Sequence, residues 1–127
     1  MQKPLPPGPA GAPGAAGPAG PGAKWALINA AGTIAAQSGG ISVTSHFGPG
    51  TYILSFGTTV NDKLILATSG FANAGLRGDV IAGPCGGAPT GAVACAVGGD
   101  NSHVVVFTSN PANTALVDKA FYVAVIG

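Results

Sequence analysis

The stretch Tyr122-Val123-Ala124-Val125-Ile126 is apolar at every position, and so is Val104-Val105-Val106-Phe107. Both runs are too short for a helix that buries one stripe. Both are rich in the β-branched side chains that suit a pleated strand. A strand apolar on both faces has to be covered on both sides. The cover is either a tight interior, or a second sheet on one side and another subunit on the other. Charged residues make up only 7% of the chain, so burial between subunits is the more economical of the two.

Working outward, period-two alternation marks further strands. Tyr52, Leu54 and Phe56 oppose Ile53 and Ser55, and Ala92, Ala94 and Ala96 oppose Val93, Cys95 and Val97. Ile41, Val43 and Ser45 are expected on one face, with Ser42 and Thr44 on the other. Strands are expected at 25–29, 33–37, 41–45, 51–56, 63–68, 92–97, 103–108 and 121–126. A short extra strand is expected around Val80, inside an otherwise irregular segment 70–91. Ala30-Ala31-Gly32, Gly39-Gly40, Gly48-Pro49-Gly50 and Gly98-Gly99-Asp100-Asn101 supply the turns. No helical stripe persists for three turns. The expected fold class is all-β: a compact antiparallel β-sandwich or jelly-roll-like head over residues 23–127.

The first residues are a different material. Gly8, Gly11, Gly14, Gly17 and Gly20 fall at intervals of three, with Pro and Ala filling the positions between them. This is the Gly-X-Y pattern of a collagen triple helix, in which three polyproline-like chains meet at an axis that admits only a hydrogen side chain. Residues 8–22 therefore read as a short collagen-like stalk, roughly 45 Å long if extended, or as a Pro/Ala/Gly linker. Residues 1–7 read as an extended anchor, with Leu5, Pro6 and Pro7 as its contact residues. Lys24 and Trp25 stand at the junction of stalk and head. Trp25 either caps the stalk from beneath the head or is an ordinary core residue.

Composition narrows the function. Five basic residues and a net charge of +1 are too few for a nucleic-acid surface. No apolar run is long enough to insert in a membrane as a helix. Lys3 is followed by prolines rather than an apolar run, so no secretory leader is expected, and with Met1 as the start the protein is expected to be made and assembled in a cytoplasm.

Catalytic chemistry is also poorly supplied. No Gly-X-Ser-X-Gly elbow and no phosphate-binding Gly loop with Lys-Ser/Thr is present. Asp62, Asp79, Asp100 and Asp118 all lie in or near expected turns, where carboxylates cap backbone amides. His46 and His103 are expected to be structural. Cys85 and Cys95, ten residues apart, either bridge and staple a loop to a strand or remain free. No metal, cofactor or catalytic residue is expected. Within the long loop, Phe71, Asn73, Arg77 and Asp79 are the candidate binding residues, because long loops on a rigid β scaffold are where binding usually sits. Arg77 either pairs with Asp79 as a surface contact or marks a ligand or subunit contact.

The order of parts, a short Gly-X-Y run followed by a small β head, resembles phage fibre, tail-tip and capsid-decoration proteins and bacterial collagen-like surface proteins. The head is similar to a module that follows such repeats in actinobacterial and phage sequences. The resemblance rests on Trp25-Ala26-Leu27-Ile28-Asn29-Ala30-Ala31-Gly32-Thr33, Gly50-Thr51-Tyr52 and Asp118-Lys119-Ala120-Phe121-Tyr122-Val123-Ala124-Val125. The module's usual cysteine near Phe56 is missing, so its disulfide does not carry over. The resemblance implies a homotrimeric, non-enzymatic virion protein. Such a protein is a capsid- or tail-decoration fibre assembled in the host cytoplasm and exposed on the virion surface. It is held by its N-terminus to capsid or tail proteins, with a head that stabilises the particle or meets a host glycan or protein. The alternative is a bacterial cell-surface protein with an adhesive head.

Overall fold

The computed structural model describes residues 22–86, Cys95 and 101–127. The Gly-X-Y glycines Gly8, Gly11, Gly14, Gly17 and Gly20, the anchor Leu5, Pro6 and Pro7, and the strand expected at 92–97 apart from Cys95 lie outside the described residues.

The described chain is all-β. Eight strands run in order: β1 Ala23–Ile28, β2 Ile34–Gln37, β3 Ser42–His46, β4 Thr51–Ser55, β5 Leu64–Ser69, β6 Val80–Pro84, β7 His103–Thr108 and β8 Phe121–Ile126. One 3-10 turn, Ala74–Leu76, lies between β5 and β6. The strands form two four-stranded sheets, β2-β1-β8-β5 and β3-β4-β7-β6, with every pairing antiparallel. The arrangement is that of a β-sandwich. Residues far apart in sequence become neighbours, since β1 pairs with β8 and β4 with β7.

The turns follow from their residues. Asn29 and Thr33 close the first hairpin through a backbone bond of 2.8 Å and a side-chain bond of 2.9 Å, and Gly32 takes the positive φ of 91° that the turn requires. At Gly50 (φ 70°) a side chain would run into the Thr108 carbonyl and the Val117 backbone, so the β3–β4 turn can press against the segment before β8 only with glycine there.

The core lies between the sheets. Ala26 and Ile28 from β1, Tyr52 and Leu54 from β4, Val104 and Val106 from β7, and Phe121, Val123 and Val125 from β8 are buried, joined by Ile41, Phe56 and Val60. Each large side chain among them contributes about 1.5–3 kcal/mol by leaving water. Tyr52 is wholly buried. Its ring meets Phe121 edge-on at 4.8 Å, and its hydroxyl donates to the Ala30 carbonyl at 2.7 Å.

One facing is corrected. Val43 pairs with Leu54, which points inward, but Ser45 pairs with Ile53, which points outward. Ser45 therefore does not share a face with Val43. Thr44 is the extra residue of a β-bulge, and a bulge reverses the alternation that follows it. The same reversal carries His46 to the inner side, opposite Tyr52.

Candidate functional site

The two sheets treat their outer faces differently. On β3-β4-β7-β6 the outward side chains Ile53 and Val105 are buried with Cys85 and Cys95, and Phe107 packs against them. Cys85 follows β6, and a disulfide joins it to Cys95, whose amide also donates to the Cys85 carbonyl at 3.5 Å. Of the two states open to the cysteines, the structure shows the bridge. It lays Cys95 over the outer face of this sheet, which is why β7 is apolar on both sides.

The outer face of β2-β1-β8-β5 has no such cover among the described residues. The strand registers align its outward side chains into three rows: Ala23, Ile126 and Leu64; Trp25, Ala124 and Leu66; Leu27, Tyr122 and Thr68. No charged side chain stands in these rows. Leu64 is 55% exposed, Leu66 51%, Tyr122 40%, Trp25 38% and Ile126 36%. The small Ala124 at the centre leaves an open hollow of about 560 Å³, walled by Trp25, Leu66 and Tyr122. Trp25 is thus a surface residue of this face and not part of the core. Its neighbour Lys24 points to the opposite side of β1, where its Nζ donates to the Phe56 carbonyl at 2.9 Å.

The candidate binding loop is held from below by a residue that sequence reading passes over. Lys119 is 2% exposed, and its Nζ donates to the carbonyls of Leu76 at 2.9 Å, Arg77 at 3.2 Å and Gly78 at 3.4 Å. Burial pulls its pKa below the ordinary lysine value, and the charge of Asp79 opposes that shift. Phe71, Asn73, Arg77 and Asp79 are all exposed on this loop. Asn73 Oδ1 accepts from the Gly75 amide at 2.9 Å, and the Asp79 amide donates to Asn113 Oδ1 at 2.7 Å. No ion pair joins Arg77 to Asp79 among the described residues. The loop is therefore braced by its backbone while its side chains point to solvent.

A third cluster forms at one end of the sandwich. The His46 ring lies flat on Tyr52, with Nε2 at 2.9 Å from Asp118 Oδ1 and Nδ1 at 3.2 Å from the Ala31 carbonyl. Asp118 also accepts from the Gly50 amide at 2.7 Å, and that bond, with His46 next, holds its carboxyl below the usual range. The Tyr52 hydroxyl is pushed up to about 12 by burial and then by the negative charge of Asp118. Both His46 nitrogens are engaged by oxygens of the fold itself. The cluster ties three turns together. His103 reaches Thr44 Oγ1 through Nε2 at 3.1 Å, far from Asp118 in the sheet.

Among the described residues, no three His, Cys, Asp or Glu side chains group as metal ligands. No helix among them is long and apolar enough to cross a membrane. Comparison with protein-family models, curated proteins and solved structures finds no match to the chain.

Proposed function

We propose that the protein is a non-enzymatic structural component of a virion: a homotrimeric capsid- or tail-decoration fibre whose head is carried on the Gly-X-Y stalk and exposed on the particle surface. The N-terminal residues attach to capsid or tail proteins, and the head stabilises the particle or contacts a host surface. One observation carries this reading. Strand β1 begins at Ala23, only three residues along the sequence from the last repeat glycine, Gly20. A head joined so directly to a threefold stalk is constrained to threefold association. The passage of the chain between sheets, with β1 beside β8 and β4 beside β7, supports the jelly-roll-like form of that head. His46, Asp118 and Lys119 bond across turns instead of converging on a cleft, which supports a binding or structural role over catalysis.

The alternative, a bacterial collagen-like surface protein with an adhesive head, draws on Phe71. An aromatic side chain 60% exposed on a braced loop is a usual anchor for a partner. Quantitative mass spectrometry of purified particles tests the first reading. The expected result is a copy number that is a multiple of three per symmetry-related position. Absence from particles, with the protein on cell envelopes instead, overturns it in favour of the second.

A further inference from the structure

We infer that the bare outer face of the β2-β1-β8-β5 sheet is the surface through which three copies of this chain assemble, with Trp25, Leu66 and Tyr122 around Ala124 at its centre. The inference rests on the trimeric reading above and specifies which surface performs it.

Chemistry selects the occupant. Five large side chains on this face together expose on the order of 400 Å² of apolar surface, the size of the principal apolar patch of a globular domain, which is often functional. The rows hold no charge, and their polar side-chain groups are the hydroxyls of Tyr122 and Thr68 and the indole N–H of Trp25, so they offer no charge to steer a charged partner. The opposite sheet gives the contrast: its outer face is covered at Ile53 and Val105 through Cys85 and Cys95 within the same chain, leaving Ile81 of the edge strand β6 exposed.

The path of the chain selects copies of itself over another apolar partner. The first row of the bare face starts at Ala23, the first residue of β1, and the repeat ends at Gly20. A Gly-X-Y triple helix gathers three chains around one axis in parallel. Three chains leaving such an axis deliver three β1 strands side by side, each with Ala23, Trp25 and Leu27 facing outward from its own sandwich. On the trimeric reading, each copy then carries its bare face on the strand that starts beside the axis, within reach of its neighbours. The hollow over Ala124 gives a neighbouring copy's large side chain a place to insert, as the centre of a well-packed interface requires.

The test uses the full chain. Native mass spectrometry and sedimentation at micromolar concentration are compared for the wild type, Ala124→Arg, Leu66→Lys and a control, Ile81→Lys, which alters an exposed apolar position on the other sheet. The expected result is a wild-type trimer, a control trimer, and at least about a tenfold weakening of assembly in the two face variants. Trimers of both face variants, folded by circular dichroism, overturn the assignment of the face and leave the trimeric reading standing. A monomeric wild type overturns both. A readout that needs no variant protects against misfolding. Trp25 is the chain's single tryptophan. Its emission is expected to be shielded from acrylamide in the assembled wild type and to become quenchable on dilution to monomer. Equal quenching in the two states overturns the proposal.

Discussion

The His46 ring stacks on the Tyr52 ring, with centroids 4.3 Å apart and planes within 7° of parallel. The stack joins the end of β3 to the floor of the core, and the Asp118 carboxylate fixes the imidazole from the side. His46→Ala is expected to lower unfolding stability by about 1–2 kcal/mol, from the lost ring contact and hydrogen bonds. Urea melts of wild type and variant at neutral pH check it; a change within error shows that the stack adds nothing.

Asp118 sets the acid limb of stability. Its carboxyl is held below the ordinary value by the Gly50 amide and then by His46, so the folded protein binds fewer protons than the unfolded chain in that window. Its contribution is complete above the unfolded carboxyl value of about 3.9 and is lost as pH falls through the lower folded value. Asp118→Asn is expected to flatten this part of the stability profile. Thermal melts through the acid range decide it, and a profile as steep as the wild type's excludes Asp118 as the source.

Tyr52 sets the alkaline limb. With its hydroxyl pushed up to about 12, the folded state keeps a proton that the unfolded chain releases near pH 10. The sign is opposite to that of Asp118. Stability is full below about 10 and declines between about 10 and 12 as pH rises through the folded value. Tyr52→Phe is expected to remove that decline, at a cost of about 1 kcal/mol at neutral pH because the Ala30 carbonyl loses its donor. Absorbance titration of wild type and Tyr52→Phe checks it, and the loss of a late tyrosine transition in the variant assigns that transition to Tyr52.

The disulfide is expected to hold a cover in place. Reducing it, or replacing both cysteines by Ala, frees Cys95 to leave the outer face of β4 and β7, where Ile53 and Val105 then meet water. For a loop of this length the expected loss is about 2–3 kcal/mol. Denaturant melts with and without reductant, together with binding of an apolar dye, check both halves. Lost stability without dye binding refutes the cover.

Lys119→Met is expected to release the candidate binding loop. Three carbonyls lose their donor, and the loop should open locally while the sheets persist. Hydrogen exchange should speed up at least about tenfold for amides in residues 70–79 and remain unchanged in β1 and β8. Uniform acceleration would mean that Lys119 supports the whole sandwich.

What the sequence makes legible is local. The bounds of β7 and β8 are readable from it to the residue, because β-branched runs stop at turn residues on both sides. β6 is harder, since Gly83 and Pro84 do not resemble strand residues. They are tolerated because β6 is the sheet's edge, where a missing amide breaks no ladder on the open side. The Thr44 bulge is invisible in β3 alone, because its partner Leu54 defines it. Lys119 looks like a solvated charge until the fold delivers three carbonyls from more than forty residues away. Likewise His46 and Asp118 meet across 72 positions, beyond the reach of any spacing rule. The bare face is half legible: strands apolar on both sides signal two covers, but only the registers and the disulfide show that β7 receives its second cover from Cys85 and Cys95, while among the described residues none covers the outer side of β8.

The start of β1 at Ala23 also has a mechanical consequence. A pull applied at Ala23 would enter the head through a strand that is bonded to β2 on one side and to β8 on the other. Because β1 is an inner strand of its sheet, freeing it means breaking backbone bonds along both of its sides. Six residue pairs join it to β8 alone, and on the fibre reading these bonds are what a load through the N-terminus would meet first.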